Sequence, residues 1–205
     1  MKILFISLGC DKNLADSEEM LGLLTGNGHE IVDSEEEADA IVINTCCFIH
    51  DAKEESVNTI LEMAEYKKTG TCKILIVTGC MAQRYKEEIT EEIPEVDAVL
   101  GTTSYGDIVK ALNEAEAGHV FREFKDINAL PEDSGRRVIT TGGHFGYLKI
   151  AEGCDKHCTY CIIPSLRGKF RSVPEERLLK QAEYMASQGV RELILVAQDR
   201  KSTRL

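Results

Sequence analysis

Three apolar runs in the first half of this 205-residue chain each end in a cysteine. Residues 2–8 lead to Gly9-Cys10, residues 40–45 to Cys46-Cys47, and residues 73–78 to Gly79-Cys80. Each run is short, β-branched and followed by polar sequence, the pattern of a buried strand. Helical periodicity fills the intervals. Leu14, Met20, Leu21 and Leu24 mark one face of a helix that starts near Asn13 and stops near Gly26 and Gly28. Val57, Ile60, Leu61 and Ala64 recur at i, i+3, i+4 and i+7. Beyond Cys80 come a helical segment around Glu87, a short strand at residues 98–100, and a helix marked by Ile108, Ala111, Leu112 and Ala115. Strands alternating with helices require right-handed crossovers and a parallel sheet, so the fold class is α/β with an open parallel sheet. Such sheets bind ligands beyond the carboxyl ends of their strands. Cys10, Cys46 and Cys80 fall at that end of three strands, about one βαβ unit of ~35 residues apart. A single thiol there packs as a small hydrophobe, but three at equivalent ends make a donor set for a soft metal centre. Cys72 precedes its strand and Cys47 alternates away from Cys46, so both read as bystanders.

A second set of thiols lies later in the chain. Cys154, Cys158 and Cys161 are spaced C-x3-C-x2-C after the alternating run Phe145, Tyr147, Leu148 and Ile150. Thiolates select zinc, copper(I) or iron–sulfur clusters. A structural zinc site and most iron–sulfur clusters take four ligands. Three cysteines therefore borrow a distant ligand or leave one position open. Around this loop the chain divides into residues 1–126, a polar and glycine-rich linker at 127–141, and a second unit at 142–205. The second unit carries a strand to Ala151, the cysteine loop, a helix presenting Leu178, Leu179, Ala182 and Met185, and a strand at residues 193–197. His157 reads as a solvated loop residue.

Charge bounds the partners. The 24 Lys and Arg against 35 Asp and Glu give a net charge of −11, so nucleic acid is not an expected partner of this chain. No secretory leader precedes the eight cysteines, and no stretch reaches the ~20 apolar residues of a membrane span. The expected setting is the cytoplasm, where thiols stay reduced for metal chemistry.

The loop Cys154, Cys158, Cys161, with Tyr160 before the third cysteine, resembles the signature of radical S-adenosylmethionine (SAM) enzymes. With Leu8-Gly9-Cys10-Asp11-Lys12-Asn13, Asn44-Thr45-Cys46, Thr78-Gly79-Cys80-Met81-Ala82-Gln83 and residues 148–171, the chain resembles the methylthiotransferases across residues 1–199. Gly9-Cys10-Asp11-Lys12-Asn13 and Val196-Ala197-Gln198-Asp199 are similar to the ribosomal-protein branch (RimO type). The tRNA-modifying branch usually carries Gly-Cys-Gln-Met-Asn. Cys47 stands where the family commonly has glycine.

The resemblance implies an N-terminal methylthiotransferase domain followed by an incomplete radical SAM βα barrel. It implies two [4Fe-4S] clusters, one on Cys154, Cys158 and Cys161 and one on Cys10, Cys46 and Cys80, together with SAM bound near Tyr160, Gln198 and Asp199. The first cluster would reduce SAM to a 5′-deoxyadenosyl radical, and the second would carry the sulfur. The product would be a methylthio group on the β-carbon of an aspartate in a small-subunit ribosomal protein, S-twelve. No protein side chain is assigned as catalytic, and no electron donor is named. The alternatives are a tRNA-adenosine methylthiotransferase and a non-catalytic zinc or iron–sulfur module. Arg200-Lys201-Ser202-Thr203-Arg204-Leu205 departs from the family pattern, and the chain is expected to be a fragment that is inactive alone.

Overall fold

The computed structural model describes residues 1–132 and 134–199; the expectation about residues 200–205 lies outside them. Along the chain come β1 (Lys2–Ser7), α1 (Asp11–Gly26), β2 (Glu30–Val32), β3 (Ala40–Thr45), α2 (His50–Thr69) and β4 (Ile74–Gly79). Then follow α3 (Cys80–Arg84), α4 (Lys86–Glu92), β5 (Ala98–Leu100), α5 (Ile108–Glu116) and β6 (Phe121–Glu123). The six strands form one wholly parallel sheet in the order β2-β1-β3-β4-β5-β6.

Period-two alternation divides the strand side chains between two cores. Ile3, Val42, Ile76 and Leu100 meet Met20 and Leu24 of α1 and Ile108 and Leu112 of α5. Leu4, Ile41, Ile43, Leu75 and Val77 meet Ile60 and Met63 of α2, Met81 of α3 and Ile89 of α4. Burial on both faces explains why β1, β3 and β4 read as continuous apolar runs. The edge strands β2 and β6 did not stand out in the sequence. Each has three residues and carries at least one charge, which keeps a sheet edge from pairing with other chains.

The second unit holds β7 (Phe145–Lys149), β8 (Ala151–Glu152), α6 (Ile163–Arg167), β9 (Arg171–Ser172), α7 (Glu175–Ser187) and β10 (Glu192–Val196). β7 and β10 pair in parallel, and β8 and β9 pair antiparallel. Leu178, Ala182 and Met185 of α7 pack toward Leu148 and Val190. Leu179, read as part of that inner face, is instead 56% exposed. The stretch between β6 and β7 has no helix or strand among its described residues, yet it lies along α1. Val138 N donates to Glu18 O at 3.0 Å, and Arg136 Nη1 donates to Gly26 O at 3.0 Å. Among the described residues no helix is long and apolar enough to cross a membrane.

Candidate metal centres

The neighbouring strands β1, β3 and β4 end at one edge of the sheet, with Ser7, Asn44 and Thr78 in register. Cys46 follows β3 directly, Cys80 follows β4 directly, and Cys10 follows β1 after Leu8 and Gly9. Two glycines make the sharp exits possible. Gly9 and Gly79 adopt φ +97° and +93°, where a side chain is strained. A Cβ on Gly9 would also lie 2.7 Å from Cys46 Cβ, and one on Gly79 would lie 2.5 Å from Thr45 O.

Asn13, in the first turn of α1, ties the three loops together. Its Nδ2 donates to Leu8 O at 3.0 Å and to Thr45 O at 2.9 Å. Its Oδ1 lies 3.6 Å from the Cys80 thiol. Asn44 Nδ2 donates to Asn13 O at 2.9 Å, and Ser56 Oγ donates to Cys46 O at 2.8 Å. Cys10, Cys46 and Cys80 line one cavity of about 880 Å³, walled by Leu8, Phe48, Ile49, Ile163 and Leu166, with Gln198 and Arg167 also on its surface. Burial raises the Cys46 and Cys80 thiols above their usual range, and the Arg167 guanidinium pulls both the other way. Among the described residues no three His, Cys, Asp or Glu side chains converge on a single ion-sized point. The all-thiol donor set, the open fourth position and the apolar, roomy cavity suit an iron–sulfur cluster.

Cys154, Cys158 and Cys161 occupy one loop between β8 and α6. Gly153, at φ +71°, turns the chain out of β8. Cys154 N donates to Gly168 O at 3.0 Å, and Cys161 N donates to Cys158 O at 3.0 Å. Phe170 N donates to Asp155 Oδ1 at 2.9 Å, which pins the base of the loop to β9. Cys154 is buried, Cys161 half-buried and Cys158 exposed, so the outer part of the loop is open to a ligand. The loop thus offers three thiols as potential donors, which among the described residues do not gather at one ion-sized point. Tyr160 is 89% exposed. Gln198 Oε1 accepts from Lys12 Nζ at 2.6 Å. Asp199 is buried and lines a separate cavity of about 380 Å³ with Ile150, Ala151, Phe170, Ser172, Leu195 and Ala197.

A buried ionic cluster joins the two cysteine sets, and sequence reasoning missed it. Lys12 Nζ lies 3.3 Å from Glu152 and also donates to Ala151 O. Lys149 pairs with Asp16 and, at 2.7 Å, with Glu152. Arg167 Nη1 reaches Asp16 at 2.6 Å, and its Nη2 donates to Asn13 Oδ1 at 2.6 Å. All five charged side chains are at most 7% exposed. Burial drives the Lys12 ammonium down to about 8, against the pull of Glu152. Burial also works to raise Glu152, but Lys149, Arg167 and Lys12 outweigh it and hold the carboxyl below its usual range. Lys12, Asp16 and Glu19 form an i, i+4, i+7 stripe on α1, a pattern that ordinarily marks a solvated helix face. The available signal was that this stripe begins two residues after a candidate ligand.

Cys47 and Cys72 are buried outside the cavity lining. The Cys47 thiol donates to Cys80 O at 3.2 Å and is pushed up to about 12 by burial. The Cys72 thiol donates to Ile74 O at 3.3 Å. Cys47→Ala and Cys72→Ala are each expected to take up as much iron as the parent on anaerobic reconstitution. Lost iron in either variant would make that cysteine a ligand.

Two family models match the chain: "Uncharacterized protein family UPF0004" over residues 2–101 and "Radical SAM superfamily" over residues 148–202. A Lachnoclostridium phytofermentans protein named ribosomal protein uS12 methylthiotransferase RimO is 64% identical over 97% of this chain and 45% of its own length. Proteins of the same name from Clostridioides difficile and Acetivibrio thermocellus are 51% and 50% identical, with the same coverage. The chain thus spans 45% of the length of these curated relatives.

Proposed function

We propose, from the premise that this chain belongs to the radical SAM methylthiotransferases of RimO type, that it serves the methylthiolation of an aspartate β-carbon in a small-subunit ribosomal protein. The family brings two [4Fe-4S] clusters and SAM. When bound, they supply the carbon-radical chemistry and the methylated sulfur that acid–base side chains lack. In this reading residues 1–126 hold one cluster through Cys10, Cys46 and Cys80, and the unit from residue 142 begins the radical SAM domain. Cys154, Cys158 and Cys161 would hold the second cluster, and Tyr160, Gln198 and Asp199 would bind SAM.

One observation carries the reading: Gln198, at the end of β10, lines the same cavity as Cys10, Cys46 and Cys80. A side chain at the expected SAM edge thereby faces the expected sulfur donor. The chain's own residues supply ligation and orientation. Asn13 fixes the three ligand loops, and Lys12 lashes the first of them to Ala151, Glu152 and Gln198. Leu8, Phe48, Ile49, Ile163 and Leu166 give the cavity a largely apolar lining. The setting that goes with this reading is the cytoplasm, whose reducing pool keeps thiols available for metal chemistry.

Anaerobic reconstitution with iron and sulfide is expected to load two four-iron clusters, whereas tightly held zinc without iron would leave a structural module. In cells, deletion of the gene is expected to remove the methylthio group from the ribosomal aspartate and leave tRNA adenosines unchanged. The opposite pattern would assign the chain to the tRNA branch.

A further inference from the structure

Arg167 belongs to the second unit, as the last residue of α6, yet its side chain forms part of the first unit's cysteine cavity. It is 3% exposed and held on several sides. Nη1 reaches Asp16 Oδ2 at 2.6 Å and Nη2 donates to Asn13 Oδ1 at 2.6 Å. Its carbonyl accepts from Arg171 at 3.1 Å, and the neighbouring Leu166 O accepts from Thr102 Oγ1 at 2.7 Å. The Asn13 oxygen that receives Arg167 is the one 3.6 Å from the Cys80 thiol. A guanidinium does not deprotonate in proteins, so this is a permanent positive charge in the wall of the cavity.

We propose that Arg167 sets the reduction potential of the centre held by Cys10, Cys46 and Cys80, an inference that rests on the reading of those cysteines as cluster ligands. On reduction the centre takes one electron from an external donor such as dithionite, and no bond forms or breaks. The added negative charge is stabilised by a fixed cation in a poorly solvated wall, which raises the potential. The ionic cluster has charge to spare. Lys12, Lys149 and Arg167 are three cations against two carboxylates, Asp16 and Glu152. Glu19, one turn beyond Asp16, accepts from Tyr105 and is held toward its neutral form by burial. Of the three cations, Arg167 is the one that lines the cavity, where it stands opposed to the carboxylates Asp51 and Glu55 of α2. Because it sits on the helix that follows the Cys154–Cys161 loop, the second unit controls the electrostatics of the first unit's centre.

The test uses the full chain with Cys154, Cys158 and Cys161 all changed to alanine, so that one centre loads. Iron and acid-labile sulfide are counted first, and a parent that loads none overturns the cluster reading itself. Redox titration followed by electron paramagnetic resonance then compares variants of equal iron content. Arg167→Gln is expected to move the midpoint to more negative potential, while Arg167→Lys stays near the parent. Asp16→Asn, which removes the opposing charge, is expected to move it to more positive potential. A parental midpoint in Arg167→Gln would overturn the proposal. So would equal shifts in the glutamine and lysine variants, which would mark packing in place of charge. If Arg167→Gln fails to load, Asp16→Asn decides: a rise supports the proposal and its absence overturns it.

Discussion

Reconstituted Cys46→Ala is expected to hold one four-iron centre where the parent holds two, and Cys158→Ala to lose the other, so that each variant carries half the parental iron. The two losses are independent because the ligand sets hang on different supports. Cys46 leaves β3 and is fixed by Ser56, whose hydroxyl both accepts from Cys46 N at 3.0 Å and donates to Cys46 O at 2.8 Å. Cys158 lies on an open loop whose base is fixed through Cys154 N and Asp155. Neither substitution removes a large apolar side chain, so the fold should persist and the loss should be local. A centre with only three protein ligands has no spare donor when one is removed. The buried Cys47 is not a substitute for Cys46, because its thiol is directed to Cys80 O and lies off the cavity. Iron and sulfide analysis with absorption spectroscopy reads the outcome. Full iron in Cys46→Ala would remove Cys46 from the ligand set, and loss of all iron in either variant would show that the two centres assemble together.

The parts of this architecture that were legible in the sequence are those governed by a single local rule. β1, β3 and β4 are doubly buried, so their apolar runs are long and unbroken. Their parallel sense follows from the helical stretches between them, which sends three cysteines at three strand ends to one edge. The order that makes β1, β3 and β4 neighbours was not legible and comes from the fold. Pair-specific geometry was not legible. Asp16, Glu18 and Glu19 look like an exposed acidic stretch in the sequence, yet all three are buried. Lys149 and Arg167, the partners of Asp16, and Arg137, the partner of Glu18, lie more than a hundred residues away, and Glu19 accepts from the distant Tyr105. Burial of a charge depends on such a partner, and no periodicity encodes it. The five-residue helix α6 was invisible because it is barely longer than one turn, and with it went the position of Arg167 in the cavity wall. Leu179 shows the converse error. It is apolar and close to the inner stripe of α7, but the stripe is narrow enough that Leu178 and Ala182 cover the contact without it.

Glu18→Ala is expected to cost about 3–5 kcal/mol of folding stability, the usual penalty when one partner of a buried ion pair is removed. Glu18 is fully buried, and its carboxylate is saturated. Oε2 accepts from Arg137 Nη2 at 2.5 Å and from Nε at 2.8 Å. Oε1 accepts from Thr140 N at 2.7 Å and from Thr140 Oγ1 at 2.8 Å. Removing it strands a guanidinium that is only 6% exposed and leaves the Thr140 amide without this acceptor. A domain with a total stability of ~5–15 kcal/mol would feel that loss as a large drop in the denaturation midpoint. The double variant Glu18→Ala/Arg137→Met isolates the cause. Replacing a buried pair by apolar side chains is often close to neutral, and Met185, whose sulfur lies 3.8 Å from Arg137 Nη1, offers an apolar neighbour. The double variant should therefore be more stable than Glu18→Ala alone, although it carries one more substitution. Urea unfolding followed by circular dichroism measures both. A loss below about 1 kcal/mol in Glu18→Ala would put the pair in the class of exposed salt bridges. A double variant no more stable than the single would mean that the stranded charge is not what destabilises it, and that the segment along α1 is held chiefly by its backbone contacts.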